Sequence, residues 1–238
     1  MSSTIQLGDI DVDVTQKNIK NVHLSVYPPT GRVRISAPLH MSLETIRVFA
    51  ISKLAWIKQE QRKLREQERE TPRDYVGRES HYVWGKRYLL KVVEVDAAPC
   101  VELKHSNIIL KVRQKSSRAK KQEIMAQWYR SLVKDATTPL IAKWEPLLGV
   151  KVSKLFVQQM KTKWGSCNPV AKNIRLNSEL AKKPPECLEY IVVHEMVHLI
   201  EATHNQKFIK LMNRFMPAWR HHRDDLNRRP LAHENWGY

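Results

Sequence analysis

Cysteine, glycine and long apolar runs are all scarce in this chain of 238 residues. The three cysteines, Cys100, Cys167 and Cys187, lie far apart and form no Cys-x-x-Cys pair, which disfavours a disulfide scaffold or a structural zinc finger. The seven glycines build neither a phosphate-binding loop nor a Gly-x-Ser-x-Gly elbow, which argues against nucleotide-binding folds and serine hydrolases. No apolar run approaches the length of a membrane span, and no signal peptide is recognisable. We therefore expect a cytoplasmic protein without a membrane segment.

Acidic residues are also few, because 24 Asp and Glu stand against 41 Lys and Arg and leave a net charge of +17. The stretch 111–121 contains six basic residues and no acid: Lys111, Arg113, Lys115, Arg118, Lys120 and Lys121. Other basic residues surround the motifs described below: Lys161, Lys163, Lys182, Lys183, Arg220, Arg223, Arg228 and Arg229. This clustering predicts attraction to a polyanion, either nucleic acid or a nucleotide. A basic surface without a dedicated ligand explains it equally well, since no known nucleic-acid-binding motif accompanies the charge.

Two histidines four residues apart carry the strongest chemical signal. His194 and His198 would lie on one face of a helix, about 6 Å apart along its axis, where both can hold one ion. Glu195 follows about 100° further round the helix, near enough to reach a water on that ion without binding the ion itself. A metal, a water and a carboxylate are the parts of a zinc-dependent hydrolase. We therefore predict Zn2+ at the two histidines and a catalytic role for Glu195.

The surroundings of this motif are apolar, which predicts a buried helix. The apolar residues occur on nearly every side of it: Leu188, Ile191, Val192, Val193, Met196, Val197, Leu199 and Ile200. Neutral imidazoles and a carboxylate on a buried helix are costly without a partner, and a metal ion satisfies all of them. The burial therefore favours a metal site over a helix with two incidental histidines.

The third metal ligand has two candidates. Glu201 shares a helical face with His194, but three ligands along one straight helix would span about 10 Å, too far for one tetrahedral zinc. His204 can reach the metal if the chain bends after His198, and Asn205 is a candidate cap for a following helix at 206–215. We therefore predict His204 as the third ligand. Three protein ligands leave one position for water, which is typical of a catalytic site.

The pattern of the first half predicts strands with one long helix. Alternating residues indicate a hairpin of 22–27 and 32–36 around a turn at 28–31, and further strands at 82–84, 88–95 and 108–112. Ser42 is the expected cap of a long helix, whose charged tail at 58–69 is closed by Pro72. No internal repeat is visible. We predict an amino-terminal β-rich lobe with one long helix at residues 1–115.

The second half predicts an α+β arrangement around the histidine motif. Helical spacing extends from Ser117 to about residue 148, with Pro139 expected to begin a new turn or to kink the helix. Strands are expected at 154–157 and 173–177, and the metal helix should begin at the prolines Pro184 and Pro185. We assign residues 116–238 to a metallohydrolase lobe and the whole chain to the α+β class.

Four residues near the motifs have weaker signals. Trp164 is equally compatible with a wall of the active-site cleft and with core packing. Cys167 is interpreted as structural rather than as a nucleophile or fourth ligand, because three ligands already suffice. His221 and His222 lie in a basic segment and are predicted to be surface residues.

Several segments, in this order along the chain, resemble the YgjP-like metallopeptidase family, which is related to the SprT-like zincins. They are Lys-Trp-Gly-Ser-Cys at 163–167, Asn-Ile-Arg-Leu-Asn at 173–177, His-Glu-Met-Val-His at 194–198 and His-Asn-Gln-Lys-Phe at 204–208. Residues 33–38 and 84–88 resemble the amino-terminal part of the same family. The similarity therefore covers nearly the whole chain.

The resemblance implies a minimal zincin, in which a small sheet runs its edge strand above the active-site helix with zinc between them. It implies His194, His198 and His204 as zinc ligands and Glu195 as the catalytic carboxylate. Glu201 departs from the metzincins, which have glycine at this place, and this difference suggests another turn before His204.

Three functions follow from these features. The first is a zinc metallopeptidase that acts on a peptide or protein substrate. The second uses the same centre to cleave a phosphoanhydride, as a nucleoside triphosphate pyrophosphatase would. The third is a nucleic-acid-binding module on a zincin scaffold, with residues 111–121 as its contact surface.

Overall fold

The computed structural model describes residues 2–27, 30–66, 73–160 and 163–228, and within them it contains eleven strands and six α-helices. The strands form three small sheets, so the class is α+β, as the sequence predicts. None of the helices in those ranges combines the length and apolar character needed to cross a bilayer. Parts of some predictions lie outside the described residues: Pro28 and Pro29 of the turn, the helix tail at 67–69, Pro72, Lys161 and Arg229.

The first sheet has four strands in the order β1-β2-β4-β3. Their bounds are β1 Ser2–Leu7, β2 Ile10–Lys17, β3 His23–Tyr27 and β4 Arg32–Pro38. The two outer pairs are antiparallel and the central pair, β2 with β4, is parallel. The hairpin predicted at 22–36 is confirmed as β3 and β4, whereas β1 and β2 were not predicted.

Two short helices cover this sheet in place of the single long helix that the sequence predicts. Ser42 caps α1, Leu43–Ser52, because its side-chain oxygen accepts a hydrogen bond from the backbone N–H of Thr45 at 3.2 Å. The helix ends at Lys53, and α2 follows as Leu54–Glu66. Three buried helical residues complete a core with the apolar side chains of the sheet: Ile46, Ala50 and Ile57.

The second sheet repeats the strand order of the first, as β5-β6-β8-β7. Its strands are β5 Ser80–Val83, β6 Lys86–Glu94, β7 Cys100–Lys104 and β8 Asn107–Val112. The turn between β5 and β6 approaches another segment closely: the N–H of Trp84 bonds the carbonyl of Ala181 at 2.8 Å. A Cβ at Gly85 would lie 3.0 Å from a side-chain carbon of Pro184, so glycine suits this contact.

One long helix and a third sheet follow. The helix α3, Arg118–Leu148, has 31 residues and is unbroken through Pro139, so the proline neither ends nor restarts it. The third sheet contains β9 Lys154–Gln158, β10 Gly165–Asn168 and β11 Asn173–Asn177, in the order β10-β11-β9. A 3-10 helix, Ser178–Lys182, leads to the last three helices, α4 Pro185–Val197, α5 Gln206–Phe215 and α6 Trp219–Arg228.

The chain divides into two compact units between residues 70 and 71, whereas the sequence analysis divides it at 115. The difference has a physical reason, because the second sheet contributes to the same hydrophobic core as α3 and α4. Buried residues of that core come from all three sources, for example Leu110, Met125 and Val193. The first sheet, α1 and α2 have a separate core of their own.

Candidate metal centre

The helix α4 carries the predicted ligand His194, is followed directly by His198, and is buried along most of its length. It begins at Pro185, whose fixed φ suits the first turn of a helix. Nine of its 13 residues are buried, which confirms the burial predicted from its apolar composition. The helix ends at Val197, and the N–H of His198 bonds the carbonyl of His194 at 3.3 Å. Both histidine rings therefore leave the same face of the chain.

The segment after α4 bends, as predicted, and brings the third histidine back to this face. Asn205 caps α5, since its side-chain oxygen accepts hydrogen bonds from the N–H groups of Lys207 at 2.9 Å and Phe208 at 3.1 Å. The cap fixes the residue before it, His204, at the entrance of α5. Phe208 then packs against all three histidine rings, with centroid distances of 4.9, 4.7 and 4.8 Å to His194, His198 and His204.

The three rings converge through their Nε2 atoms. The Nε2 of His204 lies 3.1 Å from that of His198 and 3.0 Å from that of His194. Nitrogen ligands of a tetrahedral zinc, at about 2.0–2.1 Å from the metal, are roughly 3.3 Å from each other. The spacing therefore fits a cradle for one metal ion. Among the described residues, these three histidines form the only group of His, Cys, Asp and Glu side chains with such convergence.

Backbone contacts orient one ring for this task. The Nδ1 of His198 lies 3.0 Å from the carbonyl oxygen of Glu201, to which it can donate, and this leaves the Nε2 lone pair for a metal. The carboxylate of Glu201 accepts hydrogen bonds from Thr203 and forms an ion pair with Lys207 at 3.6 Å. The side chain of Glu201 is thus engaged away from the histidines. Glu201 therefore contacts the histidine cluster through its backbone carbonyl, which bonds His198, and not through its carboxylate.

Burial keeps His194 and His198 neutral. It is the main cause that lowers the pKa of His194 to about 3, and the neighbouring rings of His198 and His204 contribute further. Burial also lowers the pKa of His198. Neutral imidazole is the form that binds a metal, so neither of these two rings needs to lose a proton at neutral pH before binding. Within the described residues the buried Nδ1 of His194 has no hydrogen-bond partner.

Glu195 directly follows His194 in α4 and is only 5% exposed. Burial raises the pKa of its carboxyl to about 8, while the positive charge of Lys163 opposes the rise. A carboxyl group with a pKa near neutrality can both accept and return a proton at physiological pH. This is the property that a general acid and base requires.

A glycine at the start of β10 packs directly on this carboxylate. A Cβ at Gly165 would lie 2.5 Å from Oε1 and 2.8 Å from Cγ of Glu195, closer than real Cβ contacts. Only glycine therefore fits at this position while Glu195 keeps its place. Gly165 belongs to the motif at 163–167, but the reason for a glycine there is this contact with a residue 30 positions later in the chain. β10 is also an edge strand of its sheet.

The residues with weaker signals lie outside the cradle. Trp164 is half-buried and packs against the main core, with the Nζ of Lys183 5.7 Å from its ring. Burial, helped by the charge of Glu195, raises the pKa of Cys167 to about 11, and a protonated thiol is a poor nucleophile and ligand. His221 is exposed and His222 half-buried on α6.

Two buried residues near the centre were not predicted from the sequence. The ring of Tyr190 meets that of His194 edge-on at 5.8 Å and stacks on Trp219 of α6 at 6.5 Å. Asn177 holds the segment before Gly165 by hydrogen bonds. Tyr190 precedes His194 by one helical turn, a signal that could have been found. Asn177 offers no such local signal.

Three converging imidazoles beside a buried carboxylate are the features of a metal-dependent hydrolytic site. The family model described as "YgjP-like, metallopeptidase domain" matches residues 20–229, and the chain belongs to this family. Membership of a metallopeptidase family implies a metal ion, and the three histidines can form its site.

Solved structures of two archaeal proteins are similar to parts of the chain. One is the metallopeptidase zymogen of Pyrococcus abyssi abylysin, with 20% identity, a TM-score of 0.36, and coverage of 42% of this chain and 98% of that chain. The other is the metallopeptidase zymogen of Methanocaldococcus jannaschii jannalysin, with 25% identity, a TM-score of 0.30, and coverage of 35% and 81%. No curated protein matches the chain.

Proposed function

We propose that this protein is a zinc-dependent metallopeptidase built on a minimal zincin lobe. His194, His198 and His204 hold the metal, and Glu195 acts as the catalytic carboxylate. The observation that carries this proposal is the convergence of the three Nε2 atoms, 3.0 and 3.1 Å apart, beside a carboxylate that is 5% exposed. Family membership supports the peptidase activity.

The donor set favours zinc. Three neutral imidazoles with one open position are typical of catalytic zinc sites, and no thiolate or further carboxylate joins the described group. When bound there, the metal would lower the pKa of a water molecule and polarise the carbonyl of a peptide. The three cysteines are free thiols, which supports a reducing compartment such as the cytoplasm.

Glu195 supplies proton transfer in this proposal. Its carboxylate takes the proton of the attacking water and later returns it to the amine that leaves. Its burial serves this exchange, because the raised pKa makes the proton easy to hold for a short time. Gly165 limits the space around the side chain and so restricts its movement.

The edge strand β10 is suited to bind an extended peptide. Its described pairing is with β11 on one side, and it is the terminal strand of the sheet. A peptide that adds a strand to such an edge gains main-chain hydrogen bonds. Because β10 also contacts Glu195 through Gly165, a bound peptide would pass close to the carboxylate. A peptide or protein substrate therefore agrees with this geometry.

The test of this proposal is Glu195→Gln beside Glu201→Gln. Glu195→Gln should lower peptide hydrolysis at least about 1000-fold while the metal stays bound, because the amide cannot take the proton. Glu201→Gln is a matched control, since its carboxylate bonds Thr203 and Lys207 rather than the cradle. Full peptidase activity in Glu195→Gln, measured on a mixed peptide library, would refute the assignment.

A second candidate function uses the same centre on a nucleoside triphosphate. The observation that favours it is Lys163, whose charge acts on Glu195 and could attract a phosphate. Hydrolysis of nucleotides but not peptides, with the same dependence on Glu195, would establish it. Nucleotide hydrolysis that persists in Glu195→Gln would argue against this second function.

Nucleic-acid binding through 111–121 has less charge available than the sequence suggests. Three of its six basic residues form ion pairs: Lys111 with Glu102, Arg118 with Asp74, and Lys120 with Glu123. The stretch remains a proposed contact surface through its other basic side chains. Affinity for a mixed-sequence oligonucleotide should fall steeply with salt if this surface binds nucleic acid, and a flat salt dependence would exclude it.

A further inference from the structure

Asn177, the last residue of β11, uses its whole side chain to hold another part of the chain. It is 5% exposed. Its Nδ2 donates hydrogen bonds to the carbonyls of Met160 at 2.8 Å and Lys163 at 3.0 Å. Its Oδ1 accepts from the N–H groups of Met160 at 3.3 Å and Glu179 at 3.1 Å. Two donor hydrogens and two acceptor positions are the full capacity of an asparagine amide.

The bonded carbonyls belong to the residues that lead into β10. Met160 and Lys163 lie within the connection between β9 and β10, on either side of residues 161–162, which are outside the described residues. The backbone N–H of Asn177 adds a bond to the carbonyl of Trp164 at 2.9 Å. One residue therefore fixes the chain at three points immediately before Gly165.

Gly165 is the place where this segment reaches the candidate active site. The contact is so close that a Cβ there would be 2.5 Å from Oε1 of Glu195. The position of the Gly165 backbone consequently limits which positions the carboxylate can take. Since Asn177 sets where the segment before Gly165 runs, a movement at Asn177 would be passed on to Glu195.

We propose that Asn177 is a positioning residue for Glu195, which acts by clamping Met160, Lys163 and Trp164 so that Gly165 confines the carboxylate. The proposal rests on the function assigned to Glu195 above. The hydrogen bonds described for the Asn177 side chain go to Met160, Lys163 and Glu179, so its effect on turnover is indirect.

The Asn177 side chain also caps a 3-10 helix, which is a purely structural role. The cap and the clamp use different atoms of the amide, so one substitution can remove the clamp and keep the cap. As the cap of the 3-10 helix at 178–182, it needs only an acceptor oxygen for the N–H of Glu179. The clamp needs the two N–H donors that bond Met160 and Lys163. Asn177→Asp keeps the acceptor and loses both donors, and it places a carboxylate oxygen against two carbonyl oxygens. The cap should survive this change, whereas the clamp should not.

The same hairpin offers a matched control. Asn168 is the last residue of β10, and its Oδ1 accepts a hydrogen bond from the N–H of Ala171 at 3.0 Å. An aspartate accepts this bond equally well, so Asn168→Asp makes the same chemical change without loss. It lies at the opposite end of β10 from the clamped segment.

The first measurement is hydrogen exchange followed by mass spectrometry, which needs no activity. Asn177→Asp should raise the exchange rate of peptides covering 158–166 at least about tenfold, while Asn168→Asp leaves them at the wild-type rate. Metal content should equal that of the wild type in both variants. Unchanged exchange in Asn177→Asp would overturn the clamp. If this variant does not fold, Asn177→Ser, which retains a capping oxygen, replaces it with the same expectation.

The second measurement tests the link to Glu195. With a cleaved peptide, Asn177→Asp should lower kcat by about tenfold to 100-fold, because small misplacements of a catalytic group have effects of this size. In the Glu195→Gln background the same change should have no further effect, since the group that it positions is already lost. An equal loss in both backgrounds would show a general structural role and overturn the proposal. A wild type that cleaves no peptide would refute the proposed function, and the exchange result would still decide the clamp.

Discussion

The two four-stranded sheets have one plan but different surroundings. The sheet of residues 2–38 and the sheet of residues 80–112 share their strand order, with antiparallel outer pairs and a parallel central pair. Each is followed by a helix with a serine cap, Ser42 in the first case and Ser117 in the second. This structural repeat was not visible in the sequence, because the two segments share a pattern rather than residues.

The helices that follow the two sheets differ in length and in the core to which they contribute. In the first unit the helical segment is interrupted at Lys53, and the buried residues described for its core come from the first sheet and these two helices. In the second unit α3 runs on for 31 residues and shares its core with the metal helix α4. The charge differs too: residues 1–70 contain 11 basic and eight acidic residues, and residues 71–238 contain 30 and 16. The sheet plan alone therefore does not create the site.

Separate cores predict separate effects of core mutations. Leu110→Ala in β8 and Ile35→Ala in β4 both remove a fully buried side chain, and each should cost about 2–5 kcal/mol of unfolding free energy in its own unit. Leu110→Ala should also release metal at a lower denaturant concentration, as followed with a chromogenic chelator. Metal release that is shifted equally by Ile35→Ala would break the distinction between the units.

Acid should weaken the second unit through His81, which is 3% exposed in β5. Burial, with a contribution from Arg73, lowers its pKa from 6.5 to about 4, so the folded state favours the neutral ring. The stabilisation is complete above pH 6.5 and is lost as the pH falls towards 4, by up to roughly 3 kcal/mol. Between pH 4 and 6.5 the free energy of unfolding, measured by chemical denaturation, should change less with pH in His81→Gln than in the wild type. His23→Gln, an exposed histidine of the first sheet, is the control.

Substitution of one glycine in each unit should affect peptidase activity very differently. Gly165→Ala should reduce peptide hydrolysis by about 100-fold, because the added Cβ displaces Glu195. Gly8→Ala in the first unit meets nothing within 4 Å, and its cost is that of a positive φ of 64°, about 1 kcal/mol of stability. Steady-state kinetics of the two variants at equal metal content should show the loss of activity in Gly165→Ala but not in Gly8→Ala. Wild-type activity in Gly165→Ala would mean that the contact with Glu195 has no catalytic importance.

The helix caps give the smallest effect. Ser42→Ala and Ser117→Ala each remove an acceptor that bonds a backbone N–H at 3.2 Å, and Ser42→Ala also removes a hydrogen bond of 2.9 Å with Oγ1 of Thr45. Each change should cost about 1 kcal/mol. Only the change at Ser117 should also shift metal release during unfolding, since α3 belongs to the unit with the cradle. Thermal unfolding with and without zinc provides the measurement. An identical effect of zinc on the unfolding temperature of both variants would contradict the assignment of α3 to the unit with the cradle.

The metal cradle could be predicted because its determinants are local. The spacing of His194 and His198 follows from the helical period, and Asn205 is a cap that sequence alone reveals. The helix predicted at 206–215 has the bounds observed for α5. One straight helix is too long for three ligands, and the chain accordingly bends after His198, while the carboxylate of Glu201 bonds Thr203 and Lys207 instead.

The other parts depend on contacts that are distant in sequence. No local pattern shows that Gly165 touches Glu195 or that Asn177 bonds Met160 and Lys163. The core that β8 shares with α3 and α4 extends across residue 115, and it has no sequence signal because strands do not reveal which helices they will pack against. The helix α6 was missed for another reason. Its composition is almost wholly polar, and among its residues only Trp219 and Leu226 are buried.

Metal content tests the central claim most directly. Purified wild-type protein and His198→Ala should be compared by inductively coupled plasma mass spectrometry after dialysis with zinc. The cradle predicts about one zinc per chain in the wild type and almost none in the variant, because two remaining imidazoles hold the ion weakly. A wild type that takes up no zinc, or a variant that retains it fully, would contradict the account.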